Sequence, residues 1–242
     1  MSASAVAIVT GATGGIGRAI AHSLNARGYR LVLQGLGTEA DGAQLARELD
    51  DAVYVEADLS TVEGAQRVAD AARDAYGRID VLVNNAGIGI PHPHRDIAGM
   101  TPEFFNRMLS VNLVGPWYLT QACADDLRAG DGGSIINMSS VAGSTVSGSS
   151  IPYAVSKAGL EHLTRLTAVA LGPEIRVNAI APGLVDTPRT ADWDEIRAHV
   201  STTAPGRRSG QPEDIAQACL ALLDNPYITG IILPVDGGLR LV

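Results

Sequence analysis

Seven short apolar runs, rich in β-branched residues, recur along the chain. Most are separated by a longer stretch of helical periodicity. The runs are Ala5–Val9, Leu31–Gln34, Ala52–Glu56, Val81–Asn84, Ser134–Met138, Arg176–Ala181 and Ile231–Val235. They show little apolar–polar alternation, as expected of parallel strands covered on both faces. In the first intervening segment Ile16, Ile20 and Leu24 share one face, and Gly28 ends the helix. Further helices are expected over Ala40–Leu49, Val62–Tyr76, Glu103–Leu127, Tyr153–Leu171 and Pro212–Leu223. Repeated β-α-β order restricts the chain to an α/β fold with a doubly wound parallel sheet of about seven strands and right-handed crossovers. A length of 242 residues suits one domain over 1–242.

Three looser stretches, Ile88–Thr101, Ser144–Pro152 and Thr187–Gly210, follow strand C-terminal ends. Ligands bind at that edge of open α/β sheets, so these stretches are expected to border a site. The last, about 187–210, is expected to cap the substrate.

Composition excludes several function classes. A 46% hydrophobic and 18% charged chain can build a sizeable core. Its net charge of −8 argues against non-specific nucleic-acid binding. No apolar stretch has the length of a membrane span, and the N-terminus has no basic region or signal-length apolar run. Cys123 and Cys219 fit no metal-site spacing and read as buried thiols in a reducing cytoplasm. Pro91-His92-Pro93-His94 reads as a proline-stiffened loop rather than a metal site, so no metal is expected.

Between the first strand and its helix stands Thr10-Gly11-Ala12-Thr13-Gly14-Gly15-Ile16-Gly17. Glycines permit a tight turn and let a pyrophosphate approach the backbone. The helix N-terminus then offers N–H groups and its dipole to the phosphates. Tyr153 and Lys157 stand at i and i+4, on one helix face. A neighbouring ammonium favours phenolate, so the Tyr153 pKa is expected to fall. A tyrosine so tuned can give a proton to a carbonyl oxygen or take one from an alcohol. Lys157 is the only lysine in the chain.

The glycine turn resembles the T-G-x-x-x-G-x-G cofactor loop of the short-chain dehydrogenases/reductases. The resemblance continues through Asp58-Leu59, Asn84-Asn85-Ala86-Gly87, Asn112, Ser140, Tyr153-x-x-x-Lys157, Pro182-Gly183 and Asp236-Gly237-Gly238. It covers essentially the whole chain, and Ser140 and Tyr153 are 13 residues apart, as the family pattern has it. It implies a single-domain Rossmann fold and an NAD(P)-dependent oxidoreductase. Ser140 would polarise the substrate oxygen, and Asn112 would hold a water linking Lys157 to solvent. Lys157 would also hydrogen-bond the nicotinamide ribose. For the cofactor the resemblance implies contacts from Gly11, Thr13, Gly14, Gly15, Ile16, Gly17 and Leu36. Asp58 and Leu59 would meet the adenine, and Asn85, Ala86 and Gly87 the adenosine ribose. Val185 and Thr187, after Pro182-Gly183, would hold the carboxamide. Substrate contacts are expected from Ser140, Val141, Ala142, Ile151, Tyr153 and Leu184, with His92 and Trp193 as further candidates.

An Asp or Glu at the end of the second strand would pair with the NAD 2′-hydroxyl, and an arginine would accept the NADP 2′-phosphate. Gln34-Gly35-Leu36-Gly37-Thr38 supplies neither, and Gly14 stands where NADP-preferring relatives carry a base. NAD is therefore favoured over NADP, although Arg18 is close in sequence. Phe104, Trp117 and Tyr118 read as core or subunit interface, and Asp125, Asp126 and Asp131 as a solvated acidic surface. The leading expectation is a dehydrogenase or ketone reductase for a small, neutral or apolar carbonyl or alcohol. Alternatives are a 3-oxoacyl-acyl-carrier-protein reductase and a catalytically silent dinucleotide sensor or scaffold. The acidic surface disfavours docking of an acidic carrier, and the complete Asn112/Ser140/Tyr153/Lys157 set disfavours a silent protein. The family resemblance and the apolar end Leu239-Arg240-Leu241-Val242 suggest a homotetramer or homodimer.

Overall fold

The computed structural model describes residues 4–130 and 132–242; the expectations that touch Met1–Ala3 and Asp131 lie outside the described residues. The seven runs form β1 (Val6–Thr10), β2 (Arg30–Gly35), β3 (Ala52–Glu56), β4 (Val81–Asn84), β5 (Gly133–Met138), β6 (Ile175–Pro182) and β7 (Ile232–Val235). All pair in parallel, in the order β3-β2-β1-β4-β5-β6-β7. Strand order reverses between β1 and β4, and the crevice at their C-terminal ends is the expected ligand site of such a sheet.

The lack of alternation has its explanation in two covered faces. From β1, Ala7 and Val9 pack in one apolar cluster with Ile20 and Leu24 of α1 (Gly15–Asn25) and Ile215 and Cys219 of α8 (Pro212–Asp224). Ile8 points the other way, into a cluster with Val68 of α3 (Val62–Tyr76) and Leu119 and Cys123 of α5 (Gly115–Ala129). Burial pushes both thiols up to about 12, so neither is a reactive thiolate at neutral pH. Polar side chains tie the sheet to α6 (Ile151–Leu171): Asn84 Nδ2 donates to Asn137 Oδ1 at 2.9 Å, and Asn137 Nδ2 to Thr164 Oγ1 at 2.9 Å.

Two expectations are corrected. The long helix over Glu103–Leu127 is α4 (Pro102–Leu109), a π-helical turn over Ser110–Val114, and α5. Pro116 has no N–H to give the Asn112 carbonyl in α register, which favours the wider turn. The stretch about 187–210 is not wholly loop: it carries α7 (Asp194–Thr203), with Asp194 and Glu195 in its first turn. The remaining helix is α2 (Glu39–Glu48). No helix among the described residues is long and apolar enough to cross a membrane.

Candidate active site

The β1–α1 turn is shaped by two glycines with positive φ, Gly11 at 60° and Gly15 at 49°. A Cβ on Gly17 would stand 2.1 Å from the Gly11 carbonyl oxygen, so only glycine lets α1 start this close to the strand. At Gly14 a Cβ would meet nothing within 4 Å, which leaves open space beside the backbone. No side chain caps α1, and its first turn holds no acidic residue. The first N–H groups therefore face the cleft uncompensated, which suits a phosphate.

That cleft has a volume of about 1990 Å3 and runs the width of the sheet's C-terminal edge. It exceeds the roughly 300–1,000 Å3 of an ordinary small-molecule pocket, enough for a dinucleotide and a second ligand together. Gly11, Thr13, Gly14, Gly15, Ile16, Leu36, Asp58 and Leu59 line one part of it. Asn85, Ala86, Gly87, Pro182, Gly183, Val185 and Thr187 also line it, as do Ser140, Val141, Ala142, Tyr153, Lys157 and Leu184. Three expected residues do not. Gly17 is buried against the turn, Ile151 begins α6 outside the lining, and Asn112 is fully buried. The Asn112 amide instead brackets the Ile88 backbone, accepting from its N–H at 2.8 Å and donating to its carbonyl at 2.9 Å. It also donates to Ser156 Oγ at 3.1 Å. Gly87 is thereby held where a Cβ would lie 3.5 Å from Lys157 Nζ.

Ser140 ends the coil after β5 and caps a short 3-10 turn, its hydroxyl accepting from Ala142 N–H at 3.2 Å. Ser139, buried behind it, hydrogen-bonds Glu161 at 3.0 Å. Ser140 also acts on the Tyr153 phenol, drawing its pKa down, and both residues line the cleft. Lys157 donates to the Met138 carbonyl at 2.7 Å and stands 5.8 Å from the Tyr153 ring centroid. The electrostatics correct the sequence reading. The Tyr153 pKa is raised, because burial outweighs the opposing pull of Ser140 and the charge of Arg189. Lys157 is itself pushed down to about 7 by burial and by Arg189. A lysine half-neutral near pH 7 offers the phenol little charge, so the expected depression does not appear.

The expected pocket candidates His92 and Trp193 both line the cleft. The His92 ring faces Phe104 at 5.7 Å and pairs with Asp96 at 3.1 Å. Other lining residues carried no sequence signal. Ser149 has a buried hydroxyl without a partner, and a Cβ on Gly89 would sit 3.4 Å from it and 3.5 Å from the Tyr153 ring. Arg189, from the segment after β6, donates to the Gly87 carbonyl at 3.1 Å. At the end of β2, Gln34 is occupied within the fold, accepting from Gly11 N–H and donating to the Gly35 and Ala57 carbonyls. Glu56 accepts from Gly37 N–H at 2.5 Å and from the Tyr54 hydroxyl at 2.8 Å. Arg18 is paired with Glu48 at 2.5 Å and is absent from the lining. Among the described residues no cluster of His, Cys, Asp or Glu could hold a metal.

The single lysine allows its ionisation to be read directly. In protein labelled with [13C]lysine and without added cofactor, the Lys157 side-chain resonance should titrate near 7, the ammonium forming as pH falls through that value. A midpoint at the ordinary lysine value would contradict this picture of the site.

Residues 11–240 match the model of the family described as enoyl-(acyl carrier protein) reductase. The chain is 48% identical over 240 residues to a protein assigned as ketoacyl reductase 2 of the granaticin polyketide synthase of Streptomyces violaceoruber, covering 98% of this chain and 96% of that one. It is 35% identical over 249 residues to the cis-4-hydroxycyclohexanecarboxylate dehydrogenase of Sinomonas cyclohexanicum, covering 99% and 98%. A crystal structure from Burkholderia xenovorans, assigned as a short-chain dehydrogenase/reductase, superposes with a TM-score of 0.91 at 30% identity over the whole of both chains. The chain belongs to the short-chain dehydrogenase/reductase family and is an NAD(P)-dependent oxidoreductase acting between a carbonyl and an alcohol.

Proposed function

We propose that Tyr153 is the proton donor and acceptor of this oxidoreductase, with Ser140 polarising the substrate oxygen and Lys157 holding the nicotinamide ribose. The observation that carries this is that Tyr153, Ser140 and Lys157 share the wall of one cleft, with the Lys157 ammonium 5.8 Å from the Tyr153 ring centroid. The bound cofactor supplies the carbon that gives or accepts hydride. Gly14, Gly15 and Ile16 offer backbone N–H groups to its phosphates, and Asp58 and Leu59 receive the adenine. Val185 and Thr187 face the carboxamide. With its pKa raised, the phenol keeps its proton at neutral pH, the form that reduction consumes. Asn112 acts by fixing the Ile88 backbone and, through it, Gly87.

The substrate is a small molecule with its hydrocarbon part against Val141, Ala142 and Leu184. A second reading, reduction of a 3-oxoacyl group on an acyl-carrier protein, is favoured by the 48% identical polyketide-synthase relative. Comparing a small 3-oxoacyl thioester with the same acyl group on its carrier separates the two. The exposed face of Trp117, Leu166 and Val169 on α5 and α6, with the exposed Leu241 and Val242, supports a homo-oligomer. Light scattering at micromolar concentration should give a dimer or tetramer, and a monomer would refute it.

NAD is the favoured cofactor. Glu56 occupies the Gly37 N–H and places a carboxylate beside the β2 end, where a 2′-phosphate would be repelled. Arg18 is held away by Glu48. Fluorescence titration should show tighter binding of NADH than NADPH, and a tenfold preference for NADPH would overturn this.

Tyr153→Phe keeps the ring and removes the transferable proton. In a panel of ketones and alcohols with both cofactors, kcat should fall on the order of 10²–10⁴-fold while cofactor affinity is retained. Near wild-type kcat would mean that another group is the acid.

A further inference from the structure

One side chain crosses the route along which a dinucleotide would lie. Thr187 rests against the phosphate turn, for a Cβ on Gly15 would stand 3.0 Å from Thr187 Cγ2. Two residues on, Arg189 reaches over the cleft and donates to the Gly87 carbonyl at 3.1 Å. Gly87 is the residue whose absent Cβ faces Lys157. The segment 187–189 therefore runs from the phosphate turn to the catalytic helix, and a molecule spanning those two points passes the Arg189 guanidinium.

The charge at this position has no carboxylate partner among the described residues. Arg18, Arg27, Arg73, Arg78, Arg128, Arg197 and Arg208 are each ion-paired. Arg189 is in none of these pairs, nor are Arg107 and Arg240, which also line the cleft; of the three it is Arg189 that donates to Gly87, a neutral carbonyl. Asp58 is the only side-chain carboxylate among the described residues that line the cleft, and it follows β3. The phosphate turn itself, Thr10–Gly17, contains no cation. A pyrophosphate placed there would carry two negative charges met only by backbone dipoles.

We propose that Arg189 is a phosphate strap: on dinucleotide binding it exchanges the Gly87 carbonyl for pyrophosphate oxygens and holds segment 187–190 over the cofactor. The inference rests on the dinucleotide-binding reading above. The exchange is favourable because charge-assisted hydrogen bonds are roughly twice as strong as neutral ones, and the guanidinium fork matches two phosphate oxygens. An anion there also relieves a repulsion, since the Arg189 charge is one of the causes that lower Lys157.

The test is calorimetric titration of ADP-ribose, which carries the pyrophosphate without nicotinamide, into the wild type, Arg189→Met and Arg189→Lys. Each variant is first checked for folding by circular dichroism. The Met variant should bind about tenfold more weakly or worse, the scale of one lost charge-assisted hydrogen bond, with Arg189→Lys in between. A folded Met variant within twofold of wild type overturns the strap. Unchanged ADP-ribose affinity with a raised KM only for substrates bearing an anionic group would overturn it in favour of substrate recognition. A wild type that binds neither ADP-ribose nor NADH would defeat the dinucleotide reading as well.

Discussion

The Asn85 side chain joins the two strands between which the sheet reverses. Its amide donates to the carbonyls of Thr10 at 2.8 Å and Gly11 at 3.2 Å, while Thr10 Oγ1 accepts the backbone N–H groups of Asn85 and Ala86, each at 2.9 Å. The end of β4 is thus tied to the glycine turn after β1. If this contact opened, the turn would lose its neighbour and Gly87 its position. The glycine approach at Gly11 and Gly17 leaves that arrangement little freedom, because packed backbone cannot yield as a flexible side chain can. Site geometry is therefore a consequence of sheet topology: the crevice exists because the strand order reverses, and the amide keeps its walls in register.

Burial has the same hold on α6. Lys157 is 4% exposed, and its ammonium is held by the Met138 carbonyl. Burying this cation costs enough to bring its pKa to about 7. Its partner Tyr153 is shifted in the opposite direction by the same burial. Both shifts favour neutral forms, so the fixed charge lining the cleft comes from Asp58, Arg107, Arg189 and Arg240 rather than from the Tyr153–Lys157 pair. Its protonation states are open to control by whatever charge binds alongside.

Much of this was legible in the sequence, because the signals were local. Unbroken apolar strands, the glycine turn and an i,i+4 tyrosine–lysine pair all express their meaning within a few residues. What escaped depends on contacts between distant segments. Arg189 and Gly87 are separated by 102 positions, and Glu56 at the end of β3 reaches the Gly37 N–H after the neighbouring β2. Ile151 looked like a pocket residue from its place near Tyr153, but the turn into α6 takes it out of the lining. The wide turn at Asn112 had a signal in Gly115-Pro116, where a missing N–H disrupts α-helical bonding. The helix within the capping segment was obscured by its short length and the turn residues around it. The Tyr153 shift went the other way because sequence spacing reports the neighbouring ammonium but not the depth of burial.

In the proposed reaction a nicotinamide carbon stands against a carbonyl carbon beside the Tyr153 phenol, and hydride passes directly between them. The most direct measurement uses NADH deuterated at the 4-position, each epimer separately, with a ketone the enzyme turns over. One epimer should deliver its deuterium to the carbinol carbon of the product, and the other should retain it. Product alcohol without deuterium from either epimer would contradict direct hydride transfer in this site.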